Sequence, residues 1–337
     1  MRRRECLGSL AFGAAGILGD CSANGHRENS LLRVATVPGI YAAPLHLANE
    51  LGYFTHAGLA LEIHPMSSDA ETVPPLATGQ IHAALASVTP AFVNTVAKGR
   101  HLRIVAGRQI ASPTCGSVGT LYGNRIAFPD GLSDLRRLKG KRIAVTSATT
   151  FTGFCLDTFL AVAGLSADDI ERIALRQQES IAALVAGKLD AIVVSQFDYA
   201  LEALSPVVIK GIGLAAIFPN FQASYMMFGP SLLEAAPQIG TSFLAAYLRG
   251  TDDFMAGKMP KFLDEYARNS RLNAEKLRWG CHDWFARNGK IDLSSVRRSV
   301  DWMVARKFCQ KRLEAAQLVD TRFVDAVEAG KTANAIK

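Results

Sequence analysis

The apolar positions of this chain fall into short β-rich runs separated by stretches of helical spacing, and the order of these runs recurs. RIAV, at residues 142–145, reads as a strand behind a basic turn, with SATTF after it. Residues 157–164 then carry helical spacing up to a stop at Gly164. SIAALVAG predicts a helix closed by Gly187, and LDAIVVS predicts a buried strand ending at Ser195. Strands alternating with helices imply a parallel sheet, whose ligands sit at the carboxyl ends of the strands. Residues 147–152 and 195–198 occupy those ends.

The same order occurs upstream. RVAT from Arg33 matches RIAV from Arg142, AGL from Ala57 matches AGL from Ala163, and PLATGQIHAALAS matches ALVAGKLDAIVVS, at offsets of 109, 106 and 108. Near-constant spacing predicts two similarly built lobes of about 100 residues each. Their strand ends would face one another across a cleft. Residues 32–112 and 218–337 are assigned to the first lobe and 113–217 to the second.

Within this plan residues 31–37 form the first strand, PGIYAAP leaves it, and Pro44 opens a helix that breaks at Gly52. Residues 102–107 form another strand. ASPTCGSVGTLYG then crosses to the second lobe, with Gly116 and Gly119 as hinge positions. VVIKGIGLAAIF returns, and FQASYMMF is a strand back in the first lobe. From Ser231 the chain is helical, and TSFLAAYLRGTDDFM has a continuous amphipathic stripe. Trp279, Trp284 and Trp302 in this part serve packing or ligand stacking.

At 337 residues and 49% hydrophobic the chain can bury two cores. The net charge of +7 raises the question of nucleic acid, but the excess is spread thinly, with no basic cluster interleaved with aromatics. No run reaches the 18 or more apolar residues of a membrane span. Arg2, Arg3 and Arg4 precede a 13-residue apolar run at 7–19, so residues 1–21 are expected to be a signal peptide and the protein periplasmic. RRECL resembles a twin-arginine signal, with Cys6 where a bulky apolar residue is preferred. LGDC resembles a bacterial lipoprotein cleavage site, with Asp20 departing from the small residue expected before the cysteine. Lipidation at Cys21 would tether the protein to a membrane through the polar linker 22–31. Cys115, Cys155, Cys281 and Cys309 remain, either paired as disulfides or separate thiols.

No metal ligand is assigned, because the chain has no CxxC or His/Cys zinc spacing. There is no GxSxG, GxxxxGK or HExxH, and GSVG around Ser117 does not fit a nucleophile elbow. No catalytic residue and no cofactor is therefore expected, and the chain does not read as an enzyme.

Helix starts offer unpaired N–H groups that suit carboxylate, sulfonate or phosphate. Three precede predicted helices: Tyr41, Ala42 and Ala43; Ser67, Ser68 and Asp69; and Ser147, Thr149, Thr150, Phe151 and Thr152. The hydroxyls among them serve as ligand contacts or as N-caps. Ser87, Thr89, Ser195 and Gln196 complete a ring from the strand ends. Tyr41, Phe151, Phe197 and Tyr225 offer aromatic walls or core. Arg108, just after a strand, is the basic candidate, and Asp198 either favours a cationic group or caps a helix.

APLHLANELGYFTHAGLALEI, LATGQIHAALAS, KGRHLRIVAG, LRRLKGKRIAV and LVAGKLDAIVVS follow one another between residues 32 and 250. In their order and spacing they resemble the periplasmic substrate-binding proteins of the nitrate, sulfonate, taurine and thiamine-pyrimidine type. These are receptors of ABC importers, related to eukaryotic pyrimidine synthases. The resemblance implies an α/β, two-lobed periplasmic binding protein type II fold, each lobe a mostly parallel sheet flanked by helices. It also implies a small organic solute or oxyanion as ligand, ABC permease and ATPase partners, a monomer, and no role for nucleic acid. The alternatives are an enzyme on the same scaffold, although the synthases' cysteine-rich run is absent, and a sensory binding protein without a transporter. One position departs from the family: the aspartate after the glycine turn is present as Asp190, but its first-lobe counterpart is His82. His82 is either a polar turn residue exchanged for another or a ligand contact.

Overall fold

The computed structural model describes residues 29–114, 118–195, 201, 206–270 and 285–335. The expected signal segment with Cys6 and Cys21, and also Cys115, Gly116, Ser117, Gln196, Phe197, Asp198, Trp279, Cys281 and Trp284, lie outside the described residues.

The strands of the first sheet are β1 (Ser30–Thr36), β2 (Leu59–Pro65), β3 (Ala83–Ala86) and β4 (Arg103–Gly107). Those of the second are β5 (Thr120–Asn124), β6 (Arg142–Val145), β7 (Glu171–Ala174), β8 (Ala191–Val194) and β9 (Val208–Gly213), and β10 (Tyr225–Phe228) returns to the first. The orders are β2-β1-β3-β10-β4 and β7-β6-β8-β5-β9. β1 runs parallel to β2 and β3, while β10 is antiparallel to β3 and β4. β6 runs parallel to β7 and β8, and β5 is antiparallel to β8 and β9. Both sheets thus follow one diagram, in which the antiparallel strand is the first one laid down after a crossing. β3 and β8 are buried at all four positions. That explains why they read as unbroken apolar runs rather than alternating ones.

The repeat extends to individual bonds. The backbone N–H of Arg33 donates to His82 Nδ1 at 2.9 Å, and that of Arg142 donates to Asp190 Oδ2 at 2.8 Å. His82 therefore does in the first lobe what Asp190 does in the second, accepting from the backbone of the neighbouring strand. It is a turn residue, and the burial and the adjacent Arg33 that lower its pKa favour the neutral, accepting imidazole.

In the first lobe the helices are α1 (Ala43–Glu50), α2 (Tyr53–His56), α3 (Val73–Ala77) and α4 (Pro90–Ala97). The second lobe has α5 (Phe151–Val162) and α6 (Gln177–Val185). The C-terminal part has α7 (Pro237–Met255), α8 (Phe262–Ser270), α9 (Leu293–Ala305), α10 (Ala315–Leu318) and α11 (Arg322–Ala335). α5 starts six positions earlier than the helical spacing from Asp157 suggests. Its first turn is FTG, three residues with little helix preference, and tertiary contact decides the matter. A Cβ on Gly153 would lie 2.3 Å from the carbonyl oxygen of Ala148, so only glycine lets the preceding loop fold back over this turn.

Two antiparallel segments join the lobes. Ala223 N–H donates to Gln109 O, Ala111 N–H to Phe221 O and Asn220 N–H to Ala111 O, at 2.8–2.9 Å. Gly119, at the second-lobe end, has φ +68, a conformation that glycine adopts freely. α9 makes a third connection. Its Val296, Val300 and Met303 pack in the core under β3 and β4, yet Trp302 and Arg306 reach Asp157 on α5 of the other lobe. Trp302 Nε1 donates to Asp157 Oδ2 at 2.8 Å, Arg306 Nε lies 3.1 Å from the same oxygen, and Arg172 pairs with Oδ1. Cys155 and Cys309 are free, buried thiols. Among the described residues no helix is long and apolar enough to cross a membrane.

Asp157 and Arg172 expose only 13% and 14% of their side chains, so deleting the carboxylate strands a guanidinium and an indole. Asp157→Ala should lower unfolding free energy by about 3 kcal/mol. It should also enlarge the ligand-free radius of gyration, as checked by urea denaturation and small-angle scattering.

Candidate functional site

The carboxyl ends of β3, β4 and β8, with the loops after β1 and β6, enclose two adjoining cavities between the lobes. A neck of about 60 Å³ is lined by Tyr41, Asp69, Leu85, Ala86, Ser87, Arg108, Gln109, Phe151, Ser195, Ala223 and Ser224. A mouth of about 610 Å³ shares Tyr41, Asp69, Phe151 and Ser195 with it. The mouth adds Ser67, Ser68, Thr146, Ser147, Thr150, Arg176 and Tyr266 among its walls. Ser87 and Ser195, which the internal repeat makes equivalent, therefore face one hollow from opposite lobes.

Arg108 forms the floor of the neck. It follows β4 directly and is 1% exposed, the largest fully buried side chain described. Nε donates to Tyr247 Oη at 2.9 Å, Nη1 to Ser224 Oγ at 3.1 Å and Nη2 to the Tyr41 carbonyl at 2.6 Å. All three acceptors are neutral. A guanidinium has five N–H groups and stays charged in any environment. One N–H on each terminal nitrogen is therefore left over among the described residues, a spacing that suits two oxygens of one anionic group.

Asp69, in the turn before α3, stands beside Arg108. Its Oδ2 accepts the Ser87 backbone N–H at 3.1 Å and also the Ser87 hydroxyl. The enclosing walls push its pKa up, against the opposing pull of Ser87 and Arg108. Burial likewise raises the pKa of Tyr41 well above the ordinary value, and Asp69 adds to this.

At the mouth, the residues between β6 and α5 form a hydroxyl cluster. Thr146 N–H donates to Thr152 Oγ1 at 3.0 Å, and Thr150 Oγ1 donates to Ser147 O at 2.9 Å. On the opposite rim Tyr266 is carried by α8. Glu50 accepts the backbone N–H groups of Lys261 and Phe262 at that helix start, at 2.8 and 3.2 Å. His46 stacks on Phe262 with ring centroids 3.8 Å apart.

The structure thus brings together Tyr41, Ser67, Ser68, Ser87, Arg108, Ser147, Thr150, Phe151 and Ser195. Four expected contacts lie off the cavity walls. Thr89 is the N-cap of α4, its hydroxyl accepting Phe92 N–H at 3.3 Å. Ala42 is buried in the turn before α1, and Thr149 is bonded back to Ser147. Tyr225 is 1% exposed in the first-lobe core, its hydroxyl donating to Gln222 O at 2.9 Å. Its neighbour Ser224 lines the neck instead, since successive strand residues face opposite sides. Gln109, Ala223 and Ser224 were not anticipated from sequence, and neither was Tyr247 as the support of Arg108. They come from the crossing segments and α7, where no local pattern signals the cleft.

A protein-family model described as NMT1/THI5-like matches residues 40–258. Over 183 residues the chain is 25% identical to the nitrate import ATP-binding protein NrtC of Synechococcus elongatus. That match takes in 52% of this chain and 28% of the relative, so the chain spans less than a third of the relative's length. Three solved structures superimpose well. The periplasmic aliphatic sulphonate binding protein SsuA of Escherichia coli has TM-score 0.66 and 16% identity, covering 87% of this chain and 92% of that one. The alkanesulfonate-binding protein SsuA of Xanthomonas axonopodis pv. citri has TM-score 0.65 and 19% identity, covering 87% and 99%. The periplasmic nitrate-binding protein NrtA of Synechocystis has TM-score 0.68 and 15% identity, covering 90% and 89%. At these identities the likeness establishes the fold, the two-lobed periplasmic binding protein architecture.

Burial pushes the His46 pKa from its ordinary 6.5 down to about 4. The unfolded chain therefore binds this proton at higher pH than the folded one does. The protein should keep its stability above about pH 6.5 and lose about 3 kcal/mol by about pH 4 through this group alone. His46→Phe should remove that share of the loss in denaturation curves recorded across the range.

Proposed function

The chain belongs to the NMT1/THI5-like family, and we propose that it is the extracytoplasmic solute-binding receptor of an ABC importer, closing its lobes around a small organic anion. The buried guanidinium of Arg108 carries this reading. A fork with two N–H groups left over at a neck between lobes, and with no charged hydrogen-bond partner among the described residues, is built to hold a sulfonate-like or carboxylate-like head. The mouth, at about 610 Å³, has the volume of a site for an organic molecule and exceeds what nitrate fills. Its hydroxyls suit a polar body attached to the head.

Capture is a population shift. Ser87 and Arg108 belong to one lobe, Ser195 and Phe151 to the other, and a ligand touches all four only when the lobes are closed. The Asp157 bridge already favours that arrangement, so the ligand adds its contacts to an existing bias. The closed form would be presented to permease and ATPase subunits in the periplasm, with export by the N-terminal segment and a lipid anchor at Cys21 belonging to the same proposal.

Calorimetry against nitrate, alkanesulfonates and aromatic carboxylates tests the reading. An organic anion should bind and contract the radius of gyration, and Arg108→Lys, which keeps the charge but loses the fork, should weaken it about 10- to 100-fold. Undiminished affinity in that variant, or turnover of the bound solute, would contradict the proposal.

A further inference from the structure

The neck contains a carboxyl group where an anion is expected to sit, and the two must be reconciled. Asp69 and Arg108 share the walls of a space of about 60 Å³, room for a few waters or one compact head group. Whatever enters touches both. An ionised Asp69 beside Arg108 leaves the neck neutral before ligand arrives, and a head group would then add an unbalanced negative charge inside an enclosed site. Proteins avoid that state by neutralising one group.

We propose that Asp69 serves the cleft as a carboxylic acid, donating its proton to the anionic group that Arg108 holds, so that each capture takes up one proton. This rests on the receptor reading above and narrows it to solutes with a permanently ionised head and no cation beside it. The proton comes from solvent, moves onto Asp69 Oδ1, and is shared with an oxygen of the ligand, with no other bond made or broken. Oδ2 is already committed to the two Ser87 donors, while Oδ1 has no hydrogen-bond partner among the described residues. The titratable and charged groups that share cavity walls with Asp69 are Arg108 from the end of β4, Tyr41 from the turn before α1, Tyr266 from α8 and Arg176 at the start of α6. Glu71, on the turn of Asp69 itself, is held by the Ser67 hydroxyl at 2.8 Å. Burial raises the pKa of the free carboxyl, which lowers the cost of protonating it when the head group arrives.

The sign separates this assignment from its opposite. If the ligand is an anion and Asp69 takes a proton, affinity rises as pH falls through the interval between the free and bound pKa values, by at most about tenfold per pH unit. If Asp69 remains a carboxylate for a cationic group, affinity falls on acidification. Butanesulfonate is the probe, since its head stays ionised throughout and any linked proton belongs to the protein. Titration between about pH 5 and about pH 8, in pairs of buffers with different ionisation enthalpies, should give tighter binding in acid and an uptake approaching one proton. Asp69→Asn, whose amide mimics the protonated acid, should bind butanesulfonate with pH-independent affinity and no proton uptake. Binding by the unaltered protein without proton uptake, or loss of binding in a folded Asp69→Asn protein, would overturn the proposal and leave the receptor reading standing. Failure of nitrate, butanesulfonate and benzoate alike to bind at any pH would overturn both.

Discussion

A guanidinium held out of water by three neutral oxygens is the constraint to which the rest of the site answers. Removing such a charge from solvent costs several kcal/mol, and hydrogen bonds to a carbonyl and two hydroxyls recover only part of that. The remainder is borne by the fold. Tyr247 comes from α7, Ser224 from the crossing segment before β10, and Tyr41 from the turn after β1. Each is fixed by a separate packed element, so Arg108 cannot turn toward solvent without disturbing all three. On the proposed reading, a guanidinium whose hydrogen-bond partners among the described residues are all neutral receives the anionic head where both lobes meet.

The doubled architecture makes this possible. One strand diagram used twice places two sets of strand ends opposite one another, and the paired segments around Ala111 and Phe221 act as the axis between them. The site is not symmetric, however. In the neck the first lobe supplies the charges, Arg108 and Asp69, while the second supplies Phe151 and the Ser195 hydroxyl; at the mouth the second lobe adds Arg176 and further hydroxyls. On the proposed reading the first lobe holds the head and the second closes over it. The Asp157 cluster on α5 ties α9 to the second lobe in the arrangement described.

Much of the framework was legible in the sequence because the information was local and repeated. The offsets of 109, 106 and 108 identify corresponding strands, and the equivalence of Ser87 with Ser195 across the hollow follows from them. His82 and Asp190 occupy one register position and make one bond, so chemically different residues could be matched by place. What escaped is non-local. Ser224 and Tyr247 lie 116 and 139 positions from Arg108, and only the folded chain brings them to it. Tyr225 was expected at the cleft and lies in the core, because a shift of one residue on a strand reverses the face. The sequence places Asp69 at a helix start, whereas its position in the neck depends on Ser87, just after β3.

The claim that Arg108 receives the ligand's anionic group is tested most directly by a crystal structure of the protein with a bound alkanesulfonate. The account predicts sulfonate oxygens within hydrogen-bonding distance of both Nη1 and Nη2 of Arg108, with Ser87 and Ser195 closed over the same head. A sulfonate held at the mouth by the hydroxyls of Ser147 and Thr150, with water in the neck beside Arg108, would contradict it.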